Sequence, residues 1–166
     1  MTTRNAVNHG VEDIRLGGQG DLCTLETRLF LPQPLTIVFS FFADAGNLEI
    51  ITPPWLRFAI LTPRPIAMRI GARIEYRLRL RGIPLRWQSE ITAWDPPHRF
   101  VDEQRRGPYR TWIHEHNFAE HDGGSEVTDL VRYAPPGGRL ANRLLVRREV
   151  RRIFEYRIRA LRALFV

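Results

Sequence analysis

Between Tyr109 and Phe118 every second residue from Trp112 on, namely Trp112, His114, His116 and Phe118, is aromatic or imidazole, while Ile113, Glu115 and Asn117 between them are mixed. A period of two belongs to a β-strand, so the four rings share one face. A second alternating run, Val127, Asp129, Val131 and Tyr133, follows across the turn-forming Asp122, Gly123 and Gly124. With Gly123 and Gly124 as the two turn residues, Phe118 is expected opposite Asp129, His116 opposite Val131 and His114 opposite Tyr133. One face of this hairpin then holds two imidazoles, a carboxylate, a phenol and an indole. That is too polar for an ordinary core and too aromatic for an ordinary solvated face; it fits the wall of a pocket.

The rest of the chain supplies the scaffold for such a wall. Residues 1–20 are polar, carry Gly10, Gly17, Gly18 and Gly20, and have no sustained period, so they read as a mobile arm preceding a single domain over 21–166. From Leu22 to Leu31, Cys23, Leu25, Leu29 and Leu31 alternate with polar residues in a first strand. Pro32 and Pro34 end it and open a helix, Leu35–Ala43, with Leu35, Val38, Phe39 and Phe42 on one side. Asp44 suits the cap of a second short helix that Pro53 and Pro54 stop. Trp55–Leu61 returns to strand periodicity. Ile74, Tyr76, Leu78 and Leu80 alternate with arginines and Glu75, and a turn at Gly82 leads back through Leu85, Trp87, Ser89 and Ile91, with Leu80 expected opposite Leu85. Asp95, Pro96 and Pro97 turn the chain into Phe100–Arg105, which sets Phe100, Asp102 and Gln104 on the face of His114. After Pro135, Pro136 and Gly137, residues 139–166 contain neither Pro nor Gly. They read as one long helix whose apolar arc runs from Leu140 and Leu144 through Val150, Ile153, Phe154, Ile158 and Leu161 to Phe165.

Composition narrows the function classes. The single Cys23 excludes an intrachain disulfide and a multi-cysteine zinc site. No apolar run approaches a membrane span and the first residues lack a signal-peptide pattern, so a cytoplasmic location is expected. The net charge of +7 raises an anionic partner, but all 25 basic residues are arginine, which is a chain-wide bias rather than a patch. Nucleic acid is therefore not expected as a partner. Peripheral contact with an anionic membrane through Arg73, Arg77, Arg79 and Arg81 stays open. There is no phosphate-binding glycine loop, nucleophile elbow or dinucleotide fingerprint, and no lysine for Schiff-base chemistry.

Several local matches share one order along residues 22–166: Pro53-Pro54-Trp55-Leu56-Arg57-Phe58, then Phe100-Val101-Asp102-Glu103-Gln104 leading into Gly107-Pro108-Tyr109, then Trp112-x-His114-x-His116-x-Phe118, Asp129-x-Val131-x-Tyr133, and Ile153-Phe154-x-Tyr156-Arg157. In that order the chain resembles the SRPBCC superfamily, which groups START lipid-transfer domains, polyketide cyclases and pollen-allergen-type ligand carriers, and within it the bacterial cyclase/dehydrase-like members. The resemblance implies an α+β helix-grip fold: a curved antiparallel sheet of about six to seven strands wrapped on a long C-terminal helix, with two short helices after the first strand. It also implies a cavity between sheet and helix for a small hydrophobic or aromatic molecule, lipid or polyketide-like; no cofactor is expected.

Cavity-facing positions, and so the expected ligand contacts, are Tyr76, Trp87, Phe100, Asp102, Gln104, Trp112, His114, His116, Phe118, Asp129, Tyr133 and Phe154. Two kinds of chemistry compete for the polar members. His114 and His116, with Asp102 or Asp129, have the residue types for proton transfer in a cyclase- or dehydrase-like enzyme. Alternatively each imidazole is hydrogen-bonded and only shapes the wall. Two histidines two apart also point the same way as metal ligands do, with Asp129 as a third, but two imidazoles alone are a thin donor set and no metal is expected. An inward carboxylate needs a partner, and Arg143, Arg147 and Arg157 flank the apolar arc of the helix. Two readings stay equally open: Asp pairs with Arg157, or the arginine stems reach solvent.

Overall fold

The computed structural model of the chain describes residues 14–166. Its strands are β1 (Arg15–Gln19), β2 (Leu22–Leu31), β3 (Ala59–Ile60), β4 (Arg73–Leu80), β5 (Ile83–Asp95), β6 (Arg99–Arg106), β7 (Thr111–His121) and β8 (Gly124–Ala134). They pair antiparallel in one sheet of order β1-β2-β8-β7-β6-β5-β4-β3. From β3 to β8 the sheet is a meander, and β2 returns to the free edge of β8. Two register shifts in β5, at Gln88/Ser89 and Ile91/Ala93, bend the sheet where it must curve around the helix.

The helices lie where the sequence places them. α1 (Leu35–Ala43) starts behind Pro34 and buries Leu35, Val38, Phe39 and Phe42. The Asp44 side chain accepts a hydrogen bond from the Gly46 amide and opens a 3₁₀ turn that runs into α2 (Leu48–Ile51). The C-terminal helical segment begins as α3 (Gly138–Ala141), widens into a π turn over Asn142–Val146, and continues as α4 (Arg147–Phe165). Val150, Phe154, Ile158 and Leu161 recur every three or four residues and are almost fully buried against the sheet and α1. Burial of such a side chain contributes about 1.5–3 kcal/mol, so these four anchor the helix.

Four expectations change. The arm expected over residues 1–20 ends earlier, because Arg15–Gln19 forms β1, paired through Gly18↔Cys23 across a glycine turn; residues 1–13 of that arm lie outside the described residues. The strand expected over Trp55–Leu61 is only Ala59–Ile60. Pro54 opens a 3₁₀ turn over Pro54–Leu56, and Arg57 in the left-handed region (φ 45°) ends it. These two strands raise the count to eight. Third, both hairpin turns sit one residue earlier than expected. Arg81-Gly82 and Asp122-Gly123 are the two-residue turns, all four residues having positive φ, as a type I′ hairpin needs. Leu85 therefore faces Leu78, His116 faces Asp129, His114 faces Val131 and Phe118 faces Val127. Gly124 serves the sheet instead: a Cβ there would meet the Leu31 carbonyl at 2.4 Å. Fourth, the π turn rotates the start of the helical segment out of phase with α4, so Leu140 and Leu144 are exposed rather than part of the apolar arc.

Candidate functional site

The concave face of the sheet and α4 enclose a cavity of about 180 Å³. Its wall is mainly apolar: Phe41 and Phe42 from α1, Ile51 from α2, Leu56 and Phe58 from the following turn, Ile74 and Leu78 from β4, and Val150, Ile153 and Phe154 from the helix. Eight of the expected contacts also line it: Tyr76, Trp87, Phe100, Asp102, Trp112, His114, His116 and Phe154. Among the described residues, four do not. Gln104 turns to the β6–β7 loop, where its amide donates to the Tyr109 carbonyl at 2.6 Å and accepts from the Tyr109 amide. Phe118 is covered by Phe39 and Phe42 of α1. Tyr133 is buried beneath the start of the helical segment and donates to Asn142 Oδ1. Asp129 lies behind the two histidines. Alternation along a strand does not tell that helices cover Phe118 and Tyr133, that the β6–β7 loop takes Gln104, or that the histidines screen Asp129.

On one side of the cavity a continuous polar chain crosses the sheet. Ser89 Oγ donates to Asp102 Oδ1 at 3.1 Å and accepts from Trp87 Nε1 at 3.1 Å. With its one proton committed to the carboxylate, its 2.9 Å contact with Tyr76 Oη has the tyrosine as donor. Asp102 and His114 are directly opposed on β6 and β7. Asp102 Oδ2 lies 3.3 Å from His116 Nε2 and 3.7 Å from His114 Nδ1. On the far side, Asp129 Oδ1 lies 3.1 Å from His114 Nε2 and 2.7 Å from His116 Nδ1, and Oδ2 is 3.4 Å from Arg157 Nε and 3.5 Å from Thr27 Oγ1. The His116 and Arg157 approaches to Asp129 are close in distance but off the hydrogen-bond direction, so they are ionic contacts rather than formed hydrogen bonds. Of the two readings for the inward aspartate, the pairing with Arg157 is the one present. Arg143 and Arg147 are exposed.

Electrostatics follow from this arrangement. Burial alone would raise Asp129, but Arg157 and the two histidines hold its carboxyl well below the ordinary range. Burial acts against ionisation of Asp102 too, and the histidines again win and lower it. For His116, burial disfavours the cation, yet Asp129 and Asp102 flank it and raise its pKa. His114 moves the other way, lowered by burial and by the neighbouring His116. The two rings are 3.8 Å apart, so a charge on one disfavours a charge on the other. The Tyr76 hydroxyl is pushed up by burial and by Asp102, which keeps it neutral and a donor.

No helix among the described residues is long and apolar enough to cross a membrane. Solved structures share the fold over almost the whole chain. Protein Ms6760 from Mycobacterium smegmatis superposes with a TM-score of 0.67 at 25% identity, covering 90% of this chain and 95% of that one. Ara h 8.0201 gives 0.65 at 16% identity, covering 87% and 97%. Major latex-like protein 151 from Panax ginseng gives 0.66 at 12% identity, covering 89% and 99%. The architecture is thus that of the helix-grip, SRPBCC-type superfamily. No curated protein matches the sequence. One family model, described as Domain of unknown function (DUF8410), matches residues 76–165. That span is more than half the chain and takes in Ser89, Asp102, His114, His116, Asp129 and Arg157, and on that match the chain belongs to the DUF8410 family.

Proposed function

We propose that the protein binds one small apolar or aromatic molecule in the cavity between the sheet and α4, with the polar end of the ligand against Asp102 and the two histidines. The observation that carries this reading is the wall itself: a mainly aromatic and aliphatic lining into which Ser89, Asp102, His114 and His116 present a cluster of polar groups. The helix-grip architecture supports it as a ligand-binding fold. A volume of about 180 Å³ is close to the ~150 Å³ apolar cavity that accepts a single benzene, so the occupant has one or two rings.

Binding is favoured over acid–base catalysis by the histidines. Each of the four ring nitrogens has a carboxylate oxygen as a near neighbour, at 2.7–3.7 Å. Each imidazole is thus already engaged by a carboxylate, as expected of a group that shapes the wall. Native mass spectrometry of protein purified gently from its own cells tests the proposal. The expected result is a noncovalent organic adduct of one- or two-ring size, one per chain, lost in Ile153→Trp, which fills the cavity from the helix side. An adduct that survives this substitution unchanged would place the ligand elsewhere.

A further inference from the structure

The two histidines and Asp102 do more than decorate the wall. His114 and His116, two apart on β7, point the same way, and Asp102 faces His114 from β6. One ligand atom from each of the three lies within 4.8 Å of the others. Two edges of that triangle, 3.3 Å and 3.7 Å from Asp102 Oδ2 to His116 Nε2 and His114 Nδ1, bracket the ~3.4 Å edge of a tetrahedron with bonds of ~2.1 Å. The remaining nitrogens, His114 Nε2 and His116 Nδ1, both approach Asp129 Oδ1. His114 is oriented as metal-binding histidines are, with its outer N–H turned to a carboxylate and its inner nitrogen left to accept, while His116 Nδ1 lies 2.7 Å from the same oxygen but off the hydrogen-bond direction. Asp129 is in turn neutralised by Arg157 and braced by Thr27, while Ser89 donates to Asp102 Oδ1 and leaves Oδ2 for the ion.

With the outer nitrogens protonated, two imidazole lone pairs and a carboxylate oxygen converge on one point beside the cavity. A proton on His116 Nε2, donated to Asp102 Oδ2, can fill that point, and so can a cation bound to all three groups. We infer that Asp102, His114 and His116 bind one divalent first-row transition ion of the Zn²⁺ or Fe²⁺ kind, with Asp129 orienting both histidines and the cavity side left open for a further ligand. The donor set of two imidazoles and one carboxylate suits these ions better than Mg²⁺ or Ca²⁺. Asp129, the third ligand that alternation suggested, is displaced to the outer shell because the true register sets it behind the rings. The inference goes beyond the ligand proposal and stands or falls separately from it.

The test uses tag-free full-length protein stripped with a chelator. Titration with Co²⁺, read by visible absorption, is expected to show one saturating equivalent per chain, with Zn²⁺ displacing it. His114→Gln and His116→Gln should each weaken affinity about 100-fold or more, and Asp129→Asn about 10–100-fold, while His98→Gln and His121→Gln, which alter exposed rings, change nothing. Because a buried substitution can unfold the protein, wild-type protein with Zn²⁺ is also read by ¹⁵N chemical shifts of the imidazoles. His114 Nδ1 and His116 Nε2 are expected to move and the other two nitrogens of the pair to keep their protons. Retained affinity in His116→Gln, loss of binding in the His98 or His121 variants, or unmoved shifts at His114 and His116 would overturn the inference.

Discussion

The two faces of the sheet use the same kinds of charged group in opposite ways. Outward, Glu115 sits between Arg99 (2.9 Å) and Arg132 (3.3 Å), and Glu90 between Arg73 (2.8 Å) and Arg105 (3.3 Å). Inward, one residue away along the chain on either side of Glu115, His114 and His116 lie between Asp102 and Asp129, with Arg157 closing the row. Water reaches the outer lattice and shares its charge. It scarcely reaches the inner row, where Asp129 and His116 are each 3% exposed. The same ion pairs are therefore replaceable on one face and obligatory on the other, because a buried charge that loses its partner has no solvent to turn to.

Substitutions on the two faces should separate accordingly. Arg157→Met leaves the Asp129 carboxylate buried beside histidines alone, and the expected loss in urea denaturation is about 3–5 kcal/mol. Adding Asp129→Leu to it should restore part of that loss, since both charges are then gone; a double variant as unstable as the single would show that Asp129 was not the source. Ser89→Ala removes the donor to Asp102 and the acceptor of Trp87 and Tyr76, with an expected cost of about 1–3 kcal/mol in the same assay. Glu115→Gln, on the outer face, should cost no more than about 1 kcal/mol, and less in high salt. A cost as large as that of Arg157→Met would erase the contrast.

Acid titration gives the smallest effect and sharpens the outer side. The Glu115 carboxyl is held below its ordinary value of 4.5, first by its hydrogen bond from Arg99 and also by Arg132. Its contribution is complete above that unfolded value and is lost as pH falls through the lower folded one. The stability difference between wild type and Glu115→Gln should thus be constant near neutrality and shrink below pH ~4.5, visible in denaturation midpoints across that range.

What could be read from the sequence depended on the range of the interaction involved. The bounds of β2 and α1 coincide with those expected, because alternation, Pro34 and the spacing of Val38, Phe39 and Phe42 are local signals. Faces were legible where registers were not. A hairpin slipped by two residues keeps every side chain on its face, so His114, His116 and Asp129 were correctly set inward while their partners were misassigned. The deciding detail was that Asp122-Gly123 takes the turn and Gly124 is needed flat against Leu31. The cavity wall was legible only in part. Ile51, Leu56, Val150 and Ile153 come to it from elements far apart in the chain, and Phe118 is removed from it by α1. No local pattern records those juxtapositions. The π turn, which turns Leu140 and Leu144 outward, also left no signal in the spacing of the apolar residues.

The measurement that bears most directly on the central claim is a methyl-resolved NMR titration with 2-naphthol, a two-ring molecule with one polar end. The account predicts saturable shifts at one molecule per chain in the methyls of Ile51, Ile74, Leu78 and Ile153, which line the cavity. Shifts confined to exposed methyls such as those of Ile37, Ile83 and Leu140, or none across a panel of one- and two-ring compounds, would contradict it.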